Sequence, residues 1–128
     1  MILILTTFPN KAEAVKIGDA LLEKRLIACY NLFPVESAYW WHAPSKSQHE
    51  PSTNSSEKAS AKIRLGKGKT VKDKEFSMII KTKDENFKKV ESFIQKNHSY
   101  EVPEIVAIKA EKVTKPYLDW LNQETKQD

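Results

Sequence analysis

The chain has 128 residues, a formal net charge of +4 and a single cysteine, Cys29. This length suits one domain, residues 1–128, whose core needs neither a disulfide nor a metal ion in order to fold. A lone cysteine excludes an internal disulfide, and the apolar amino terminus is too short to span a membrane. We therefore expect a cytoplasmic protein with no membrane partner. The segment from Pro44 to Lys69 carries six cations and two anions, which is the whole excess of positive charge. A basic body that binds nucleic acid is thereby disfavoured.

The first elements are a strand and a helix. Ile2 to Leu5 is an unbroken aliphatic run, which predicts a strand covered on both faces. Asn10 is the predicted N-cap of a helix that ends near Arg25, and Glu13 lies three residues later, as in a capping box. Apolar residues follow at helical spacing and give this helix one buried face.

An extended segment from Leu26 to Trp41 comes next. Pro34 cannot donate a ladder hydrogen bond, so we expect it at a bend, a bulge or a sheet edge. Tyr39, Trp40 and Trp41 are too much apolar surface for an exposed hairpin and predict burial against a partner chain. Residues 43–67 are polar and poor in large apolar side chains, which predicts a flexible insertion within the domain.

The second half repeats the order of strand and helix. Glu75 to Thr82 is a predicted strand, Asp84 is the predicted cap of a second helix, and Ile105 to Ile108 is a predicted buried strand. Thr114 is the predicted cap of a short third helix, with Pro116 in its first turn. The order predicts an α+β fold, the ferredoxin-like β-α-β-β-α-β sandwich plus a short C-terminal helix. Two helices cover only one sheet face, so the other face must be wetted, covered by the third helix or buried in an oligomer.

The stretch from His98 to Glu104 concentrates chemistry just before a core strand. It brings an imidazole, a phenol and two carboxylates into seven positions. Groups placed next to a rigid strand are typical of functional sites. The alternative is a structural turn in which Pro103 sets the backbone and both glutamates face water.

Several segments together resemble the CutA family, small proteins linked to divalent-cation tolerance. The HPYEVPE-like block is the most specific of them. Apart from the insertion, the resemblance covers the whole chain, in the order Thr6–Asn10, Glu23–Cys29, Ser37–Trp41, Ile79–Thr82, His98–Ile105 and Tyr117–Leu121.

The resemblance implies a tight homotrimer similar in plan to the PII signal proteins, with a long hairpin that reaches a neighbouring subunit. The trimer-packing aromatics would be Tyr39, Trp40, Trp41 and Trp120. The resemblance also implies a role in metal tolerance, usually towards copper, and no catalytic reaction. Two departures are Ser99, where the family commonly has proline, and the long segment inserted at the hairpin tip.

Copper or another divalent metal is the implied cofactor. Imidazole and thiolate are the ligands that copper and zinc favour, which makes His98 and Cys29 the candidates. Some family members have a cysteine at the position of Thr6 and a histidine at that of Asn97, and this chain has neither. A single histidine is also a common structural residue, and a strand cysteine is commonly a small buried side chain.

A second hypothesis is a PII-like signalling module that holds a small anionic effector in clefts between subunits. The candidate residues are Lys81, Tyr100, Glu101 and Glu104, which could equally form an intersubunit salt bridge. An acylphosphatase-type enzyme would need an arginine in the loop from Thr6 to Asn10, and that loop has none. An RNA-binding domain of this fold would expose aromatic residues on its central strands, whereas these lie at the hairpin end.

Overall fold

The computed structural model describes residues 1–41 and 68–126. These residues form four strands, three α-helices and one short 3₁₀ turn. In chain order they are β1 (Ile2–Phe8), α1 (Lys11–Glu23), β2 (Cys29–Trp41), β3 (Lys69–Thr82), the 3₁₀ turn Asp84–Asn86, α2 (Phe87–Asn97), β4 (Val106–Lys109) and α3 (Lys115–Glu124).

The four strands form one antiparallel sheet in the order β2-β3-β1-β4. In the register, Ile4 pairs with Ile80 of β3 and with Ala107 of β4. This is the strand order of the ferredoxin-like fold, so the predicted α+β architecture with an added C-terminal helix is confirmed. The long connection between β1 and β2 carries α1, and that between β3 and β4 carries α2, as the split βαβ arrangement requires.

The core lies between one sheet face and the helices. Side chains alternate along β1, so its even-numbered residues turn to the helices and are buried. From the helices, α1 and α2 each contribute one apolar stripe to this layer. The core residues include Ile2, Ile4, Phe8, Ala14, Ile17, Leu21, Met78, Ile80, Val90 and Ile94.

Helix α1 begins as predicted and ends in a well-defined cap. The side-chain oxygen of Asn10 accepts a hydrogen bond of 2.8 Å from the Glu13 N–H, as an N-cap does. At the other end the N–H of Arg25 donates to Leu22 and that of Leu26 donates to Leu21, which is a Schellman arrangement. Arg25 adopts the left-handed φ of 59° in place of the usual glycine, and its guanidinium binds the Glu124 carboxylate at 2.7 Å. This ion pair ties the end of α1 to α3.

The hairpin is longer than the sequence patterns predict. Strand β3 begins at Lys69 and stays paired with β2 from Trp41 to Cys29 without interruption. Pro34 lies opposite Phe76 on an edge strand of the sheet, one of the three positions expected for it. The predicted insertion at residues 43–67 lies outside the described residues and stays a prediction.

Two local predictions are wrong. Asp84 opens a 3₁₀ turn instead of capping α2, and the cap position of α2 is Asn86, whose amide donates to the Leu26 carbonyl at 3.0 Å. Strand β4 is not buried, because it forms an outer edge of the sheet and all four of its residues are exposed. An apolar run predicts a strand but does not reveal whether its own chain covers it.

Across residues 1–41 and 68–126, none of the helices combines the length and the apolar character that crossing a bilayer would require.

We predict that Gly18→Ala destabilises the fold. A Cβ at this position would lie 2.6 Å from Cε1 of Tyr30, whose hydroxyl is held by Asp19 at 2.7 Å. Overpacking of this kind costs about 1–3 kcal/mol, which urea unfolding would measure. In a Tyr30→Ala background the same change should be neutral or stabilising, because alanine favours helix over glycine. An equal loss in both backgrounds would contradict the steric explanation.

Candidate functional site

The imidazole of His98 is buried at the end of β1, in what we call the histidine turn, residues 98–104. Its side chain is stacked on the Phe8 ring with centroids 4.7 Å apart and planes inclined by 14°. The Tyr100 ring also contacts the imidazole, with centroids 4.7 Å apart and planes inclined by 42°. Nε2 is 2.7 Å from the Thr7 carbonyl oxygen, and Nδ1 accepts a bond of 3.0 Å from the Tyr100 N–H. The Tyr100 N–H makes Nδ1 an acceptor and so places a ring hydrogen on Nε2, and the Glu13 carboxylate lies 3.4 Å from the same Nδ1.

Glu13 binds the histidine turn from the first turn of α1. Its carboxylate accepts hydrogen bonds of 3.1 Å from both the N–H and the hydroxyl of Ser99. The capping-box resemblance is therefore only half realised, since the Glu13 side chain binds Ser99 and not the Asn10 N–H. A proline at position 99 would provide neither donor.

Tyr100 and Glu75 form a buried polar pair. The Tyr100 hydroxyl donates to the Glu75 carboxylate at 2.6 Å, and the two residues are 1% and 4% exposed. Burial, this hydrogen bond and the nearby negative charges hold the pKa of Tyr100 well above its usual value. Glu104 is exposed over much of its surface, yet packing around its carboxyl and the charge of Glu75 raise its pKa.

Tyr39 and Asp73 repeat this pairing farther along the hairpin. The Tyr39 hydroxyl donates to the Asp73 carboxylate, and burial followed by this bond raises the pKa of Tyr39. Sequence reasoning missed Glu75 and Asp73 as partners, because acidic residues at the start of a strand are typically solvated. The available signal was the alternation of side chains along β2 and β3. It places Glu75 and Asp73 on the same sheet face as Tyr39.

Cys29 and Lys81 meet at the far end of the sheet. The Lys81 ammonium lies 3.9 Å from the Cys29 sulfur and donates to the Asn31 side-chain oxygen. Tyr117 of α3 contacts the same thiol, and burial followed by the proximity of Cys29 raises its pKa. The half-buried thiol thus has neighbours on β2, β3 and α3.

The structure does not bring the two metal candidates together. Cys29 pairs with Lys81, which pairs with Leu3, whereas His98 binds the Thr7 carbonyl. Four residues of β1 separate these points, a distance of about 13 Å at the usual strand rise. Within one chain the two side chains are therefore too far apart to share a metal ion.

A metal ion does not fit the described residues as they stand. No cluster of three or more histidine, cysteine, aspartate or glutamate side chains suited to a metal is present across residues 1–41 and 68–126. Both nitrogens of His98 are engaged in hydrogen bonds, so a metal would have to displace Thr7 or the Tyr100 amide. The metal role of His98 and Cys29 stays a prediction.

The effector candidates are also separated in a single chain. Tyr100 binds Glu75, six residues along β3 from Lys81, which corresponds to about 20 Å. Glu101 and Glu104 belong to the Tyr100 end. A cleft holding all four would need two copies of the chain, and it too stays a prediction.

The aromatic candidates for packing differ in exposure. Trp40 is 67% exposed and Trp120 is 41% exposed, while Tyr39 and Trp41 are half-buried. Trp120 rests against the Tyr117 ring with centroids 5.4 Å apart. Large exposed indoles at a hairpin end are surface that a partner can cover.

These features define a small ferredoxin-like protein with a long hairpin, a turn built around a buried histidine, and a second sheet face that α3 contacts at the Cys29 end and that the described residues otherwise leave uncovered. The chain belongs to the CutA1 divalent ion tolerance family, whose profile matches residues 2–64 and 64–124. The divalent-cation tolerance protein CutA of Thermotoga maritima is 39% identical over 123 residues, covering 96% of this chain and 97% of the relative. The protein of the same name from Pyrococcus horikoshii is 34% identical over 98% of this chain and 99% of its own.

Solved structures agree with the assignment. The periplasmic divalent cation tolerance protein CutA from Archaeoglobus fulgidus superposes with a TM-score of 0.77 at 34% identity, over 98% of this chain and 100% of that one. The divalent cation tolerance protein from Thermus thermophilus gives a TM-score of 0.74 at 30% identity, over 98% and 100%. The family resemblance read from the sequence motifs is confirmed.

We predict that Tyr100→Phe destabilises the protein at neutral pH and that the loss shrinks in alkali. Without the hydroxyl the buried Glu75 carboxylate loses a donor, at a cost of about 1–3 kcal/mol. The raised pKa means that the unfolded chain releases the phenol proton first, at its usual pKa near 10. The wild-type advantage is therefore complete below pH 10 and falls by about 1.4 kcal/mol per pH unit above it.

Urea unfolding of both proteins between pH 7 and 11 measures this difference. Tyr117→Phe is the comparison variant: burial and Cys29 raise the pKa of Tyr117 as well, so its gap should also narrow in alkali, but its loss at neutral pH should be smaller because no buried carboxylate loses a donor. A constant gap between wild type and Tyr100→Phe across this range would show that the phenol does not titrate differently in the two states.

Proposed function

We propose that this protein acts in divalent-cation tolerance as a non-catalytic, cytoplasmic homotrimer that binds or responds to metal, with copper as the first candidate. Family membership supports the tolerance role, because its relatives carry that name. The observation that supports assembly is one uncovered apolar face of the sheet. Neither the family nor the sheet face indicates a catalysed reaction.

The uncovered surface, here called the open sheet face, consists of Leu3, Leu5, Ile79, Val106 and Ile108. The register aligns them in rows: Leu5 pairs with Ile79 and Val106, and Leu3 pairs with Ile108. The alternation along β1 turns them away from the helices. Val106 and Ile108 are each 47% exposed, and Phe33 of β2, at 40%, extends the patch.

An apolar sheet face of this kind is expected to be covered by protein. The β4 edge adds unpaired backbone groups to the apolar side chains, and an edge of that composition favours association with another strand. The hairpin carries Trp40 beyond the body of the sheet, where a neighbouring copy can receive it. Several copies of one chain would bury these surfaces together, and closed symmetry is the usual outcome for such assemblies.

The alternative function is a PII-like module that binds a small anionic effector between copies. Lys81 favours it, because pairing with Leu3 and Cys29 places this lysine on the open sheet face. A cation that assembly buries needs a counter-charge. Either a carboxylate of the neighbouring copy or a bound anion would supply it.

We predict that Ile108→Glu breaks the assembly. A carboxylate on the open sheet face would have to be desolvated between copies, at a cost of several kcal/mol. Sedimentation equilibrium should give three chains for the wild type and one for the variant. Lys109→Glu, the neighbouring position on the opposite face of β4, is the control and should stay trimeric. A wild-type mass of one chain would refute the proposed assembly.

We predict that His98→Ala lowers stability, and its effect on copper affinity tests the predicted metal role of His98. The ring is buried against Phe8 and Tyr100 and holds two hydrogen bonds, so its loss should cost about 3 kcal/mol. Calorimetric titration of the reduced protein with copper measures the affinity, with Cys29→Ser as the parallel variant. A tenfold or greater loss of affinity in His98→Ala would establish the histidine as a ligand.

A further inference from the structure

A basic groove lies on the helical side of the molecule, between the end of α1 and the outer surface of α2. Its volume is about 430 Å³, within the range of small-molecule sites. In the part of the chain that the structure describes, no carboxylate lines it. The lining residues are Leu26, Ser92, Phe93 and the four lysines Lys24, Lys88, Lys89 and Lys96.

All three lysines of α2 line this groove. In sequence order Lys88, Lys89, Ser92, Phe93 and Lys96 are spaced by one, three, one and three residues, so they share one helical face. From Lys88 to Lys96 the helix rises about 12 Å, so the ammonium groups line the groove along its length. The single acidic residue of α2, Glu91, approaches Lys88 at 3.6 Å, but the lysine side chain is 87% exposed and this pair is weak.

Two of these lysines, Lys88 and Lys89, lie in the first turn of α2. The 3₁₀ turn that runs directly into α2 carries Asp84 and Glu85, each four residues before one of the two lysines, so acidic residues occupy the amino end of the helical segment. Lys88 and Lys89 are adjacent like charges, and both line the groove.

The floor of the groove strengthens its attraction for anions. Leu26 is buried and Phe93 is packed against the core, so the wall beneath the lysines is apolar. A low-dielectric wall lined by one sign of charge focuses the electric field into the groove. The Lys24 ammonium lies 5.6 Å from the Phe93 ring centroid, a cation–π distance that holds this charge over the groove.

This arrangement also defines the ligand. Since Lys24 lies over the Phe93 ring, that face is not free to stack on a planar ligand. Lysine binds phosphate as a compact point charge, and several lysines around one groove suit an anion that carries several charges. We propose that the basic groove binds a small polyphosphate anion, either inorganic or as the phosphate chain of a phosphorylated metabolite.

Titration calorimetry with inorganic tripolyphosphate, in metal-free buffer of fixed ionic strength, tests the proposal. The wild type should bind, and Lys88→Gln with Lys96→Gln should weaken binding at least about tenfold, since two charge-assisted contacts are lost. Lys16→Gln with Lys112→Gln removes the same net charge outside the groove and should change the affinity less than twofold. Absence of wild-type binding, or equal losses in the two double variants, would overturn the proposal.

A second arm separates the two sources of phosphate and checks the location. Adenosine triphosphate binding as tightly as tripolyphosphate would indicate recognition of the phosphate chain alone, and tighter binding would indicate a phosphorylated metabolite. Amide chemical shifts should change from Lys88 to Lys96 and at Lys24. Duplex DNA that binds through the same lysines while tripolyphosphate does not would overturn the small-anion proposal in favour of a nucleic-acid surface.

Discussion

The packing of the His98 ring is the constraint on which the rest of the structure depends. One imidazole contacts the rings of Phe8 and Tyr100 and forms hydrogen bonds with the Thr7 carbonyl and the Tyr100 amide. Its neighbour Ser99 binds Glu13 at the start of α1. The histidine turn therefore fixes the end of β1, the beginning of α1 and the path into β4 together. Because buried polar groups must be satisfied, this arrangement leaves the turn little freedom.

The turn also orders the hairpin through a second polar layer. Tyr100 donates to Glu75, and farther along the same strand face Tyr39 donates to Asp73. The Tyr100–Glu75 pair is buried and the Tyr39–Asp73 pair is half-buried, and removing one partner leaves the other unsatisfied. The first bond joins the histidine turn to β3, and the second joins the two strands of the hairpin to each other. Rigid polar anchoring next to an uncovered apolar surface is an arrangement suited to presenting a hairpin to a partner.

Lysines occur in two regions of the molecule that have different surroundings. The open sheet face carries one cation, Lys81, held by Asn31 beside Cys29. The helical side carries the basic groove, whose lysines lie over an apolar floor. An assembly through the sheet would leave the helices outward, because α1 and α2 cover the opposite face. The proposed assembly and the basic groove thus use separate surfaces of one small domain.

The sequence by itself determined the order of the elements, the fold class and the family, because hydrophobic periodicity, the Asn10 cap and the ordered motifs are all local. Even so, it misjudged Asp84 and the burial of β4, since a local pattern cannot show which strand lies at an edge. It marked His98 and Tyr100 as important without finding Glu75, 25 residues away in sequence. Only the tertiary structure decided that both nitrogens of His98 are engaged, that Cys29 and Lys81 lie at the far end of the sheet, and that the lysines of α2 face Lys24. Each of these facts depends on residues distant in sequence becoming neighbours through strand register and helix packing, which no local pattern encodes.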